Sequence, residues 1–435
     1  MDPGGDGSDF VPCMIPQLEL FQKKGVQTCI TGRSVKNIKP LTSLQSHSDV
    51  LEFLCSGRPL SFMDIWNVQL RLVLHMQKKN GSPLAATDIS VSVADLLLHS
   101  LFSQCEVFLN ERPVTPSPHY YNYKSYLDLA TSATPDAVQT QLQTLLFIPD
   151  DQPASANGSA AWTARQKPFL QSKRVELIGK VRADIMNIVN GLYLLDNVSL
   201  RIRFTLAPQN FFLWSKSQNA DAQIVIDEAQ LLVPFMFVNP ELSLGIEKYL
   251  LQHNAVYRYK STQVKVFIHP PNTEVISCPI SFSGKLPTNF LLTFIKTTDM
   301  SGDILSNPYN LQHFNCKEIQ VFVNGTERKY EMDFDTTVGC SSVLRTLYNE
   351  LGFDDESTSA NLFTIDGLRN GRFAVGCDLT VDHSGGYRSQ NLDLHGTVRI
   401  QARLGNVVSH SIAVILFAEY DTQMEITASR EVVML

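Results

Sequence analysis

The segment Leu200-Arg-Ile-Arg-Phe-Thr-Leu206 alternates apolar and polar residues along its whole length. Its apolar residues fall on every second position, and two arginines and a threonine fall between them. This period of two is that of a β-strand with one buried face. The segment Val398-Arg-Ile-Gln-Ala-Arg-Leu404 repeats the pattern in the second half of the chain. Both segments therefore predict half-buried strands.

Further strand signals extend from these two segments in both directions. Half-buried strands are predicted at residues 70–74, 262–268 and 318–323. The continuous apolar runs 231–238 and 412–417 are typical of strands that are buried on both faces. Helical stretches are few, with the best candidates at 120–130, 136–146 and 341–351, the last capped by Ser341 or Ser342. The sequence predicts a mainly β protein with short helices in its loops.

An internal repeat divides the chain into two halves. The segment His99-x7-Val107-Phe-Leu-Asn110 matches His313-x7-Val321-Phe-Val-Asn324. Three more pairs follow in the same order: Arg182-Ala-Asp184-Ile185 with Gly376-Cys-Asp378-Leu379, the two alternating segments, and Ile224-Val-Ile-Asp-Glu228 with Leu416-Phe-Ala-Glu-Tyr420. The first half has extra residues between its first and second match. We expect them at 149–172, an Ala-, Ser-, Asn- and Gln-rich stretch that reads as a surface insertion.

Four matches in one order indicate two copies of one β domain, with a chance match of common strand patterns as the alternative. A domain of this size with about eight strands suggests a sandwich or a jelly roll, because both protect sheet edges. We place the joint near Asn239-Pro240. The expected division is a flexible tail at 1–16, a first jelly roll at 17–238 and a second at 239–435.

Composition narrows the class of protein. The 435 residues include 36 basic and 43 acidic side chains, for a net charge of −7, and only 18% are charged. This balance argues against a protein that mainly grips nucleic acid or an anionic membrane. The N-terminal sequence lacks the basic and apolar regions of a secretory signal, so we expect synthesis inside the cell. The eight scattered cysteines are then expected to be reduced thiols.

Chemical motifs give little support for an enzyme. The sequence has no Gly-x-Ser-x-Gly and no His-Glu-x-x-His motif, and Ser283-Gly-Lys-Leu286 lacks two residues of a phosphate loop. His99 and His313 occupy matching places in the repeat and are predicted to be structural, bonding backbone near a strand start. Acidic clusters at 333–335 and 354–356 are read as solvated loops rather than cation sites. We expect no catalytic, cofactor-binding or metal-binding residue.

Two features have alternative interpretations. The tyrosines of Tyr120-Tyr-Asn-Tyr-Lys-Ser-Tyr126 suit stacking on bases or sugars, but an aromatic helix face packed on a β domain is the favoured interpretation. Between Glu19 and Asp49 there is no acidic residue, and the cations there are Lys23, Lys24, Arg33, Lys36 and Lys39. This stretch is either an arm that contacts nucleic acid or an acidic neighbouring subunit, or an edge strand whose lysines discourage pairing. The second interpretation is favoured.

Several motifs together carry a family resemblance. The first half contains Val93-Ala-Asp-Leu-Leu-Leu-His-Ser-Leu-Phe-Ser-Gln-Cys-Glu-Val-Phe-Leu-Asn110, Val114-Thr-Pro-Ser117, Tyr121-Asn-Tyr-Lys-Ser-Tyr-Leu127 and Leu177-Ile-Gly-Lys180. The second contains Phe282-Ser-Gly-Lys-Leu-Pro287, Asn307-Pro-Tyr309 and Phe417-Ala-Glu-Tyr-Asp421, followed by Glu425-Ile426. From about residue 20 to 430, the chain resembles the major capsid protein of Polinton/Maverick elements and adintoviruses. Phe417 departs from the tyrosine common there, and residues before Val26 match no motif.

The resemblance implies an all-β double jelly roll, with two tandem eight-stranded barrels in each chain. It further implies homotrimers that form pseudo-hexagonal capsomers and tile an icosahedral shell around a double-stranded DNA genome. The implied partners are other copies of the chain, neighbouring capsomers, and penton and minor capsid proteins. Strong direct binding to nucleic acid is not expected, and the implied location is the virion.

Other functions remain open at this point. A double jelly-roll enzyme such as a glycan amidase or glycosidase would need paired carboxylates at a cleft. A tandem lectin-like module would bind glycans as a stable monomer. A domesticated host copy of a capsid gene would keep the fold in another context. The capsid hypothesis differs from these in predicting trimers and larger assemblies.

Overall fold

The alternating segments of both halves form paired antiparallel sheets. The computed structural model describes residues 25–41, 49–86, 88, 90–155, 158–218, 220–334, 336, 338–350, 362–385 and 390–434. Leu200–Leu206 and the strand that contains 398–404 each bury nearly all of their apolar side, and their polar side is half-buried or exposed. The pattern from which the strands were predicted is therefore realised in both halves.

The first half forms two facing sheets. Its strands are β1 (Ile30–Ile38), β2 (Val50–Cys55), β3 (Ser61–Met63), β4 (Gln69–Gln77), β5 (Val91–Val93), β6 (Phe102–Leu109), β7 (Arg112–Pro113), β8 (Val175–Lys180), β9 (Leu200–Leu206), β10 (Leu213–Ser215) and β11 (Gln223–Val238). One sheet has the order β1-β11-β4-β8, with β3 also paired to β11, and the other has the order β2-β9-β6-β7. Strands β5 and β10 form a separate pair.

The second half repeats this arrangement. Its strands are β12 (Ala255–His269), β13 (Thr273–Lys285), β14 (Asn289–Lys296), β15 (Cys316–Val323), β16 (Thr326–Glu331), β17 (Val375–Asp378), β18 (His395–Val408), β19 (Ile412–Ile426) and β20 (Val432–Met434). The sheet orders are β12-β19-β14-β17, with β20 on β19, and β13-β18-β15-β16. The two four-strand orders of each half together form an eight-stranded jelly roll, to which β3, β5 and β10 are added in the first half and β20 in the second. The predicted double jelly roll is therefore confirmed.

Short helices occupy the connections between strands. They are α1 (Leu97–Ser100), α2 (Tyr121–Ser132), α3 (Pro135–Gln139), α4 (Ala160–Gln166), α5 (Gln209–Phe212), α6 (Pro240–Leu250), α7 (Thr297–Ser301), α8 (Cys340–Glu350) and α9 (Ile365–Arg369). The predicted helix 136–146 is only α3 followed by a 3-10 turn (Gln141–Leu145). The predicted serine cap of α8 is wrong, because the helix already includes both Ser341 and Ser342. Among the described residues, no helix has the length and apolar character needed to cross a membrane.

The strand order tests each match of the repeat. Val107 and Val321 lie on β6 and β15, which hold the same position in their sheets, as do the alternating strands β9 and β18. The pair that begins at Arg182 and Gly376 is wrong, since Gly376 lies on β17 but Arg182 follows β8. Gly179 is the better counterpart of Gly376, because each pairs with a leucine of the neighbouring strand. Short matches fix a strand more reliably than its register.

The two halves meet along a strand buried on both faces. Residues 412–418 of β19 are all buried. Ala413, Ile415 and Phe417 belong to the apolar cluster that includes the first barrel's core, whereas Val414 and Leu416 belong to the core of the second barrel. The outer face of the β12-β19-β14-β17 sheet therefore packs towards the first barrel. Strand β11 ends at Val238, α6 follows, and the domain division at residue 238 stays a prediction.

The predicted surface insertion at 149–172 is wrong. Helix α4 buries Trp162 and Arg165, and the following turn buries Phe169. Arg165 Nε donates to the carbonyl oxygen of Val93 at 3.1 Å, and Ser92 Oγ donates to that of Trp162 at 2.8 Å. Three buried side chains at helical spacing are hidden by the small polar residues around them. The segment is part of the packed body rather than an addition to its surface.

Candidate functional site

The tyrosine-rich helix of the first half meets the Asn307-Pro-Tyr309 motif of the second half. Tyr309 is buried, and its ring stacks on that of Tyr126 with centroids 4.0 Å apart and planes 7° apart. The rings of Tyr123 and Phe211 approach Tyr309 edge-on, at 5.7 and 6.0 Å. We call Tyr123, Tyr126, Phe211 and Tyr309 the aromatic junction. It joins two motifs that lie far apart in the sequence.

Hydrogen bonds fix the phenol groups of this junction. Ser100 Oγ donates to backbone oxygen, so it accepts from Tyr309 Oη at 2.6 Å. Tyr123 Oη donates to the carbonyl oxygen of Pro308 at 2.8 Å. Burial raises the pKa of Tyr126 to about 12 and also raises those of Tyr123 and Tyr309. The phenols are therefore neutral hydrogen-bond donors across the physiological pH range.

The helix-face interpretation of the tyrosine motif is confirmed for Tyr121, Tyr123 and Tyr126. All three are buried, so none has a free ring face for a base or a sugar. Tyr120 precedes α2 and is 37% exposed. The helix packs against the second barrel through the aromatic junction, and the sequence did not indicate which surface it would cover.

A charged contact forms a second link between the two halves, apart from the aromatic junction. Arg430 Nη2 lies 2.6 Å from Asp196 Oδ1, and its Nε donates to the backbone oxygen of the same residue. The guanidinium also pairs with Glu247 on α6. Asn110, the last residue of the repeated motif, donates through Nδ2 to the carbonyl oxygen of Arg430 at 2.8 Å. No sequence pattern around Arg430 indicates that it links the two halves.

The 149–172 segment makes a third contact between the halves. Arg165 Nη2 pairs with Asp150 Oδ2 at 2.8 Å, and both side chains are buried. Arg372 of the second half donates to the backbone oxygen of Asp150. Ala154 N–H donates to the carbonyl oxygen of Asn370 at 3.2 Å. The segment therefore holds loops of the two barrels together.

His99 lies beneath the tyrosine helix. Its Nδ1 lies 2.9 Å from Tyr121 Oη, which also accepts the backbone N–H of Arg182. Burial, assisted by the positive charge of Arg182, lowers the pKa of His99 to about 3. The imidazole is therefore neutral, and its Nδ1 accepts a hydrogen bond from the hydroxyl group of Tyr121. Its partner is a side chain rather than the backbone that the sequence suggested.

The other residues singled out in the sequence are scattered. His313 stacks on Phe334 and accepts the backbone N–H of Asn315, as predicted for a structural histidine. Asp333 pairs with Lys317 at 2.7 Å. Residues 354–356 lie outside the described part of the chain, as do Lys23 and Lys24. Lys285 of the 283–286 segment pairs with Asp393.

The basic stretch lies partly on an edge strand. Within the described part of the chain, strand β1 pairs with β11 alone, and it carries Arg33 and Lys36. Position at a sheet edge is what the favoured interpretation predicted, since charged side chains on such a strand discourage pairing with other chains.

A polar cleft opens between the barrels. Its volume is about 680 Å³, and its walls include Asp64, Asp128, Arg258, Lys260 and Asp421. Asp128 pairs with Arg182 at 2.7 Å, and Asp421 accepts two hydrogen bonds from Asn391. These carboxylates are occupied by donors from the protein itself. The walls carry charges of both signs, which favours a polar occupant over an apolar one.

Exposed apolar side chains cluster at two places. On and after α6, Leu244, Tyr249 and Leu251 are at least half exposed. On strands β12 and β13, Ile268 and Ile280 are about two-thirds exposed. Apolar groups left in water at neighbouring positions are typical of surfaces that contact other protein molecules.

Among known proteins, the chain is similar to solved structures only. No protein-family model and no curated protein sequence matches the chain. A chain from the Sputnik virophage matches with a TM-score of 0.63 and 13% identity, over 100% of this chain and 94% of that one. The Faustovirus major capsid protein matches with a TM-score of 0.58 and 9% identity, over 94% and 92% of the two chains. The mavirus major capsid protein gives 0.55 and 9%, over 100% and 96%.

These matches extend over at least 92% of both chains in each pair. At such low identity the likeness shows the fold alone. The neighbours are viral major capsid proteins, which agrees with the coarser part of the sequence resemblance. The narrower assignment to Polinton/Maverick elements and adintoviruses stays a prediction.

Proposed function

We propose that this chain is a major capsid protein that forms homotrimeric capsomers of an icosahedral shell around double-stranded DNA. One observation carries the proposal. Two jelly rolls of identical strand order are packed through a buried junction in a single chain, over the full length that matches known capsid proteins. The motifs behind the resemblance to Polinton/Maverick and adintovirus capsid proteins contribute both sides of that junction. We therefore extend the proposal to that lineage.

The geometry gives a reason for the trimer. Two similar lobes in each chain become six when three chains close a ring, and six lobes tile a hexagonal lattice. Contacts between such capsomers are heterologous and extend until curvature closes the shell. The aromatic junction and the Arg430 contact hold the two lobes in fixed relation. A capsomer built in this way keeps its outline when it contacts its neighbours.

The surface fits the same role. Exposed isoleucines on β12 and β13 and exposed leucines on and after α6 offer apolar area for contacts between chains. A net charge of −7 suits a shell that encloses DNA without gripping it. Penton and minor capsid proteins would complete the virion, and the chain itself would have a structural rather than a catalytic role. Asp128 and Asp421 of the polar cleft are already bound by Arg182 and Asn391, which supports that role.

Light scattering during size-exclusion chromatography tests the proposal. We expect a mass three times the 48.7 kDa of one chain, unchanged over micromolar concentrations. Electron microscopy of the same fraction should show particles with a hexagonal outline. A mass of one or two chains across that range would contradict the capsomer.

Charge substitutions separate assembly from folding. Ile268→Asp together with Ile280→Asp, and separately Leu244→Asp together with Leu251→Asp, place charges on the two apolar patches. At least one pair should reduce the mass to that of a single chain while circular dichroism stays that of the wild type. Arg403→Asp on the exposed side of β18 is the control for adding a surface charge. Trimers that survive both pairs would exclude these patches as the interface.

A further inference from the structure

Three potential metal ligands converge in the second barrel. Glu350 ends α8, Asp378 ends β17, and His383 lies in the loop that follows. One ligand atom from each lies within 4.8 Å of the other two. Their spacing in the sequence matches no metal-binding motif, so the sequence did not predict this site. Only the packing of α8 against β17 brings them together.

Asp378 is held firmly in place. Its side chain is completely buried. Oδ1 accepts hydrogen bonds from the backbone N–H and the hydroxyl of Thr380, at 2.7 and 2.6 Å. Oδ2 accepts the N–H of Gly385 at 2.8 Å. These bonds use both lone pairs of Oδ1, whereas Oδ2 keeps one lone pair for a metal ion.

Glu350 is buried without compensation. Its side chain is 9% exposed, and Oε2 has no hydrogen-bond partner among the described residues. A ligand atom of this carboxyl group lies within 4.8 Å of one from Asp378, so two carboxyl groups share one buried site. Arg328, the nearest counter-charge, donates to the backbone oxygen of Asp378 and to Cys377 Sγ instead. Among the described residues, no basic side chain bridges these two buried carboxyl groups.

Glycines allow the backbone to close around these groups. A Cβ atom at Gly376 would lie 3.3 Å from Cβ of Glu350. A Cβ atom at Gly385 would lie 2.8 Å from Oδ2 of Asp378. His383 has a φ of 57°, in the left-handed region that costs energy for a residue other than glycine. The loop therefore holds the imidazole beside the carboxylates at some conformational cost.

We propose that Glu350, Asp378 and His383 bind one Zn²⁺ ion that links α8 to β17. One imidazole nitrogen and two carboxylate oxygens are ligands that zinc accepts, with water completing a tetrahedron. Calcium and magnesium prefer sites made of oxygen alone. His383 is exposed, so the ion has access from solvent. This inference replaces the expectation of no metal-binding residue and does not depend on the proposed capsid function.

Calorimetry on the metal-free full-length chain, without a histidine tag, tests the site. Titration with Zn²⁺ at pH 7.5 should show one ion per chain. Glu350→Gln and His383→Ala should each weaken binding by about tenfold or more. The controls are Glu327→Gln and His395→Ala, which change exposed residues of the same two types in the same barrel. Mn²⁺ in place of Zn²⁺ should bind more weakly.

Thermal unfolding distinguishes loss of a ligand from loss of the fold. Without metal, Glu350→Gln should unfold at the same temperature as the wild type or higher, because it removes a buried carboxyl group next to Asp378. With Zn²⁺, the midpoint should rise for the wild type and both controls but not for Glu350→Gln. Absence of Zn²⁺ binding, or equal binding by the site variants and the controls, would overturn the proposal.

Discussion

The two sheets of the second barrel differ in what covers their outer faces. In the β12-β19-β14-β17 sheet, every residue of β19 from 412 to 418 is buried. In the β13-β18-β15-β16 sheet, β18 buries Val398 and Ile400 and exposes Arg399 and Arg403. Both sheets have antiparallel ladders and one face on the same core. The difference arises because the first barrel covers the outer face of the first sheet at β19, while α8 of the second half covers that face at β17.

This comparison shows how two jelly rolls become one body. The outer face of one sheet is buried in apolar contacts with the other barrel. The tyrosine helix and Arg430 add further contacts between the two barrels. Such a face contributes to stability as a core does, at roughly 25 cal/mol per Å² of apolar surface. The other sheet keeps the ordinary division between a buried and a solvated face.

The largest effect is expected at the aromatic junction. Tyr309→Ala removes a buried ring that contacts three others, so it should lower the free energy of unfolding by about 4 kcal/mol. Leu392→Ala, which truncates a side chain that is 83% exposed and lies outside both apolar patches, is the control and should cost less than about 0.5 kcal/mol. Urea titration followed by tyrosine and tryptophan fluorescence gives both values. Equal losses would mean that the junction does not couple the barrels.

The two sheets can be compared directly with matched isoleucines. Ile415→Ala on β19 should cost about 3 kcal/mol although Ile415 faces away from its own barrel's core. Ile280→Ala on β13, at an exposed position, should change the free energy of unfolding by less than about 0.5 kcal/mol. Both are measured by urea titration at concentrations where the chain is dissociated. A small loss at Ile415 would show that the outer face of β19 is not a core.

A buried and an exposed histidine extend the comparison to pH. The folded-state pKa of His99 is lowered to about 3, so its contribution is present above the unfolded value and is lost as pH falls. Between pH 7 and pH 5, the wild type should lose about 2 kcal/mol relative to His99→Gln, since only the unfolded state then gains the proton. His395→Gln, at an exposed position, should follow the wild type. Urea titrations at several pH values give the slopes, and parallel slopes for wild type and His99→Gln would contradict a buried neutral imidazole.

The smallest effect concerns one hydrogen bond of the junction. Tyr309→Phe keeps the stacked ring and removes the bond to Ser100 Oγ. The expected loss is about 1 kcal/mol, because Ser100 still donates to the backbone and no charged group is exposed. Together with Tyr309→Ala, this variant divides the junction into ring packing and hydrogen bonding. A loss as large as that of the alanine variant would assign most of the energy to the hydroxyl.

Sequence patterns predicted the positions of strands well, but they did not predict which segments pack against those strands. The alternation at 200–206 and the apolar run at 412–417 each became a strand with the predicted number of buried faces. The segment 149–172 was misread, because its small polar residues outnumber Trp162, Arg165 and Phe169. The match of Arg182 with Gly376 failed for a similar reason, since a short pattern fits a strand in several registers.

The sequence by itself determined the elements and their duplication. Local periodicity and turn residues depend only on neighbours in the chain, so two sets of strands in one order could be read directly. Tertiary structure decided which surfaces meet. Tyr126 stacks on Tyr309, Asp196 pairs with Arg430, and Glu350 faces Asp378 because folding brings distant segments together. Such contacts depend on position in space, and a single sequence contains no local signal for them.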